Sequence, residues 1–110
     1  MNNTSKTDFL QVTTTVPDQE LARQIGQRLV ETRLAACVQI SGPVRSVYHW
    51  QGKIESADEF HCTAKIRASR LEDVTVAITQ LHSYEVPEII AMPLPYISDP
   101  YRTWLDAELA

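Results

Sequence analysis

A chain of 110 residues has room for one domain that buries roughly two thirds of its unfolded surface around one core. Its composition, 44% hydrophobic and 22% charged, is that of an ordinary globular protein. A net charge of −4 and a pI near 5.2 argue against nucleic acid or an anionic membrane as the main partner.

Residues 1–8 are polar and form an expected disordered tail, with the folded domain over residues 9–110. No apolar run reaches the roughly 18 residues needed to span a bilayer, and the start lacks a signal-peptide hydrophobic region. The expected compartment is therefore the cytoplasm. There, Cys37 and Cys62, with no partnering pattern, read as free and mostly buried thiols.

Phe9 to Val16 is rich in β-branched residues and predicts a strand. Pro17-Asp18 opens a helix, with the proline in its first turn, and Leu21, Ile25, Leu29 and Val30 form its apolar stripe. Gly26 weakens that helix by about 1 kcal/mol and permits close approach to a sheet. Ala36 to Ile40 is a strand, and Gly42-Pro43 marks a bend, bulge or edge before the extended run Val44 to Trp50. Gln51-Gly52 is a tight turn. On the return arm, Phe60, Cys62, Ala64 and Ile66 alternate with His61, Thr63, Lys65 and Arg67, while Glu55 to Glu59 is polar enough to face solvent.

Ser69 and Glu72 have capping-box spacing, followed by the stripe Leu71, Val74, Ile78 and Leu81 with His82 in the last turn. Glu88 to Leu94 is an apolar strand. Ser98-Asp99-Pro100 starts a short terminal helix with Tyr101, Trp104, Leu105 and Leu109 on one face. The order β-α-β-β-α-β-α is the α+β, ferredoxin-like (split β-α-β) sandwich with a long central hairpin and a short C-terminal helix. Arms running from Ala36 to Ala68 overhang such a sheet, and exposed strand edges call for pairing between subunits.

The chemistry is less specified than the fold. His82 is either a ligand for copper, zinc or nickel or the complement of a negative helix end. Glu85 and Glu88 flank a loop stiffened by Pro87. They are candidate acids or bases, with Glu88 otherwise satisfying a neighbour at a strand start. Tyr48 and Trp50, two apart on an extended arm, pack a core or interface or wall a ligand pocket. His49 and His61 read as solvent-facing strand positions. No paired histidine, nucleophile or cofactor motif is present, and the expectation is that the protein is not an enzyme.

Several blocks, in order, carry a family resemblance: Leu34-Ala35-Ala36-Cys37-Val38, Ser46 to Glu55 (SVYHWQGKIE), His82 to Ile90 (HSYEVPEII), and Tyr101 with Trp104. The chain resembles the CutA divalent-cation tolerance proteins from about Phe9 to Leu109. The resemblance implies a homotrimer similar to the PII signalling proteins, with hairpins pairing across subunits. It also implies Cu(II) or another divalent cation, weakly bound, with His82 at a metal-ligand position; Glu88 is added as a second metal residue. Thr14 and Leu81 stand where some bacterial members carry a cysteine and a histidine, Ser83 replaces a common proline, and Arg102 a common leucine. The alternative is a PII-like small-molecule sensor without a metal role, whose cleft includes Trp50, Tyr84 and Glu85.

Overall fold

The computed structural model describes residues 8–110. Of the expected tail, residues 1–7 lie outside the described residues. Asp8 is anchored instead, its carbonyl accepting the Ala68 N–H at 2.9 Å.

Eight elements follow in order: β1 (Phe9–Val16), α1 (Gln19–Glu31), β2 (Cys37–Trp50), β3 (Lys53–Arg67), a 3-10 turn (Ala68–Arg70), α2 (Leu71–Leu81), β4 (Ile90–Pro93) and α3 (Asp99–Glu108). The four strands form one antiparallel sheet in the order β2-β3-β1-β4. This is the expected ferredoxin-like topology, and it leaves β2 and β4 as edges.

Strand alternation divides the apolar residues between two sites. Leu10, Val12 and Val16 of β1 and Cys62, Ala64 and Ile66 of β3 are buried against Ala22, Ile25 and Leu29 of α1 and Val74 and Ile78 of α2. Phe9, one step out of that phase, forms a second cluster with Leu105 and Leu109 of α3. The guanidinium groups of Arg67 and Arg102 lie 5.6 and 4.9 Å from its ring centroid. Gly26 lets α1 approach β2, for a Cβ there meets Val38 Cγ1 at 3.3 Å.

Several local expectations change for identifiable reasons. Pro17 lies outside α1, because Asp18 is its N-cap and accepts the Leu21 N–H at 2.8 Å. Val30 is 44% exposed, and the buried stripe runs instead through Ala22, Ile25, Gly26 and Leu29. The capping box at Ser69 does not form: a 3-10 turn occupies those residues, and α2 begins at Leu71 without a side-chain cap. The last strand is shorter than expected, leaving Glu88 and Ile89 in the preceding loop. Of the terminal face, only Leu105 and Leu109 are buried, while Tyr101 and Trp104 stack at 5.4 Å and are partly exposed.

The hairpin determines the molecule's shape. Only Phe60 to Arg67 of β3 pairs with β1, so Lys53 to Glu59 is paired with β2 alone and projects beyond the sheet. Gln51 and Gly52 turn the chain with φ of 53° and 82°, as a two-residue hairpin loop of the right hand requires. The register shifts between Ser41 and Val44, where Gly42 takes a φ of 138°. A Cβ at Gly42 would lie 2.9 Å from the Glu59 carbonyl oxygen, so this bulge needs glycine. The radius of gyration, 15.0 Å, exceeds the roughly 13 Å expected of a compact domain of this length.

One core atom is out of keeping with its surroundings. Thr14 is 1% exposed and its Oγ1 has no hydrogen-bond partner among the described residues. An unsatisfied buried hydroxyl carries a desolvation cost of about 1–3 kcal/mol, which an apolar group of the same shape avoids. Thr14→Val is therefore expected to stabilise the fold by about 1 kcal/mol, read as a raised urea midpoint at unchanged slope.

Candidate functional site

A cleft of about 680 Å³ opens where the projecting hairpin passes the loop between α2 and β4. From β2 it is lined by Ser46, Val47, Tyr48 and Trp50, from β3 by Glu59, and from β1 by Thr15. The α2–β4 loop closes the other side with Ser83, Tyr84, Glu85, Val86 and Glu88. The pairs Val44↔Glu59 and Ser46↔Ala57 bring Ser46, Tyr48 and Trp50 to the same face of the hairpin as Glu59.

His82 fixes the loop to the sheet. It is the C-cap of α2, in extended conformation, and its backbone N–H still reaches Ile78 O. Its Nε2 lies 2.8 Å from the Thr15 carbonyl oxygen, and the Tyr84 N–H donates to Nδ1 at 3.1 Å. Because the carbonyl only accepts, this pattern assigns the proton to Nε2 and uses both ring nitrogens. The Tyr84 ring then lies against the imidazole, with centroids 4.8 Å apart.

Tyr84 in turn reaches the hairpin. Its Oη donates to Glu59 Oε2 at 2.6 Å, a short bond of the kind a charged acceptor makes. Burial, followed by the hydrogen bond and negative charge of Glu59, holds the phenol well above its ordinary pKa. Glu59 is 7% exposed, so the expectation that Glu55 to Glu59 faces solvent fails at this residue. The sequence reading does not include Glu59 among the cleft residues. Alternation carries no signal for its burial: counting back by twos from Thr63 and His61 places Glu59 on the polar face of β3, and the cover comes from the α2–β4 loop.

The structure thus brings Trp50, Tyr84, Glu85 and Glu88 to one cleft, with His82 behind Tyr84 rather than lining it. His49 is exposed near the hairpin tip and His61 is half-buried on β3. Neither lines the cleft. Thr14 and Cys62 are opposed across β1 and β3. The Cys62 Sγ lies 3.6 Å from Ala22 O, and burial pushes its pKa up to about 11, so this thiol is protonated at neutral pH.

These observations bear on a divalent cation. Among the described residues no three His, Cys, Asp or Glu side chains converge as a metal site. His82 has a lone pair for a metal only if Nδ1 gives up the Tyr84 N–H. The donors among the described residues of one protomer therefore do not complete a metal site.

Comparison with known proteins gives a consistent result. Residues 10–108 match the family model of the CutA1 divalent ion tolerance protein. Over 106 residues the chain is 41% identical to "Protein CutA, chloroplastic" of Arabidopsis thaliana, covering 96% of this chain and 58% of that one. It is 35% identical to "Divalent-cation tolerance protein CutA" of Pectobacterium atrosepticum, covering 93% of each. The solved structure of the "Periplasmic divalent cation tolerance protein CutA" from Archaeoglobus fulgidus superposes with a TM-score of 0.89 at 35% identity, over 93% of this chain and 99% of that one.

The Tyr84–Glu59 bond has a measurable signature. Tyr84→Phe leaves the nearly buried carboxylate without its donor and is expected to cost about 1–3 kcal/mol of stability at pH 7. The raised phenol pKa adds a pH signature. Below about pH 10 tyrosine is protonated in both folded and unfolded states; above it the unfolded state loses the proton first. Stability contributed by Tyr84 therefore falls as pH rises past 10, and denaturation series in wild type and Tyr84→Phe are expected to converge there.

Proposed function

Since the chain belongs to the CutA1 divalent ion tolerance family, we propose that it serves divalent-cation tolerance as a homotrimer, by binding rather than catalysis. The observation that supports the assembly is the overhanging hairpin. On it Val47 is 66% and Ile54 71% exposed, and on the opposite edge strand Ile90 and Met92 are 54% and 60% exposed. Large apolar side chains beside unpaired strand edges favour burial against another copy. Among the described residues no helix is long and apolar enough to cross a membrane. The proposed compartment is the cytoplasm, although one relative is described as chloroplastic and one as periplasmic.

The cation of this reading, Cu(II) or another divalent ion, is held weakly at a site shared between subunits. Glu88 contributes from the cleft, and His82 contributes once its Nδ1 exchanges the Tyr84 N–H for the metal. A neighbouring subunit supplies the remaining donors. Loss of a formed hydrogen bond on binding is what would keep the affinity low.

A second reading has a specific observation in its favour. The cleft has the volume of a small-molecule site, and Trp50, Tyr84 and Glu85 line it together. In that reading the trimer is a PII-like sensor for a small molecule, with no metal role.

Two measurements test these readings. Light scattering at micromolar concentration is expected to give three times the 12.4 kDa chain mass, and a monomer overturns the assembly. Calorimetric titration with Cu(II) is expected to show weak heat in wild type that is lost in His82→Ala and reduced in Glu88→Gln. Equal heats in all three proteins remove these residues from the site.

A further inference from the structure

The charge balance of the cleft is one-sided. Glu59, Glu85 and Glu88 line it, and among the described residues no lysine, arginine or histidine does. Glu85 and Glu88 are exposed in the loop, where water stabilises their charge. Glu59 is different, being nine-tenths buried with no ion pair among the described residues. One carboxylate oxygen, Oε2, takes the Tyr84 hydroxyl. The other, Oε1, has no hydrogen-bond partner among the described residues. Unlike the sealed Thr14 hydroxyl, Oε1 is open to the cleft, where a positive ligand meets a carboxylate that has no counter-charge among the described residues.

The cavity walls narrow the kind of cation. Tyr48 and Trp50 from the hairpin, with Tyr84 from the loop, present aromatic surface next to these carboxylates. A strongly hydrated metal ion gains little from such surface and needs several converging oxygen donors, which among the described residues do not converge here. An alkylammonium gains twice: its N–H groups donate to carboxylates, while its methylenes and positive charge lie against aromatic faces. The same charge distribution rejects phosphate- and carboxylate-bearing ligands.

We infer that the cleft between Trp50, Tyr84 and Glu59 is a binding site for a small organic cation of the alkylammonium class. The ammonium is seated on Glu59 Oε1, and Glu85 or Glu88 receives a second positive end where the ligand has one. This inference rests on the reading of the cleft as a small-molecule site.

The test is calorimetric titration of the intact protein at pH 7 and low salt with three probes of similar length: putrescine, 1,4-butanediol and succinate. Magnesium chloride at matched ionic strength serves as a fourth. Putrescine is expected to bind saturably, more weakly as salt is raised, while the diol, succinate and magnesium do not compete. Glu59→Gln keeps an oxygen for the Tyr84 hydroxyl but removes the charge, and is expected to weaken putrescine about thirtyfold or more. Trp50→Phe is expected to weaken it less.

If the diol or succinate binds as well as putrescine, in a Trp50-dependent way, the cation assignment is overturned while the cleft remains a small-molecule site. If no probe binds, or putrescine binds equally to Glu59→Gln, the inference fails. If Glu59→Gln instead dissociates the assembly, seen by light scattering, Glu59 partners a cation of a neighbouring subunit and the inference is likewise overturned.

Discussion

The structure depends on a mismatch of strand lengths. β3 runs for 15 residues, but β1 is only 8 residues long and pairs with its C-terminal half. Backbone N–H and C=O groups in the unmatched half must find partners, and within the chain only β2 is available. β2 therefore follows β3 outward, and the ribbon they form leaves the shelter of the helices. A two-stranded ribbon has no core of its own and is marginal in water. Its stability comes from where it is held: at its root by the sheet, and along one face by the loop carrying Tyr84.

That dependence explains the position of the cleft. The bulge at Gly42 and Pro43 separates the sheltered half of the hairpin from the projecting half and re-aims β2 as it leaves the sheet. The first residue of the return arm to regain shelter is Glu59, just before Phe60 pairs with Val16. A carboxylate at this place is tolerated because a phenol reaches it, and the phenol is placed by a histidine bonded to the neighbouring strand. A chain of contacts from Thr15 through His82 and Tyr84 to Glu59 thus joins β1, the loop and β3. The sharpest motif of the sequence, His82-Ser83-Tyr84-Glu85, supplies the middle of this chain. In one protomer its histidine serves architecture first.

Element types and topology were legible because they rest on periodicity, which survives without tertiary information. The alternation from Phe60 to Arg67 and the stripe through Val74 and Ile78 are examples. Cap chemistry was less legible. Asp18 caps as its residue type favours, but Ser69 does not, because a 3-10 turn begins before Ser69 and takes up the spacing a capping box requires. The cleft was legible in part. Trp50, Tyr84 and Glu85 do line one cleft, but Glu59 falls in phase with the polar His61 and Thr63 and reads as solvent-facing. Its burial is imposed by a loop more than twenty residues later in the chain, which no local window contains.

The same mismatch of lengths bears on how the chain assembles. The hairpin closes through a two-residue turn, so its pairs form between residues close in sequence and cost little loop entropy. The β1–β3 pairs join the start of the chain to its middle, with a whole helix in between, and are the entropically expensive contacts. Because the ribbon is marginal alone, it is held firmly only once β1 docks on β3, the contact these costs make the expensive one. Until that docking, two apolar strand edges are open at once, and another copy of the chain competes with β1 for the same edge. The feature that favours association of finished subunits is thus also the one through which unfinished chains are most exposed to mispairing.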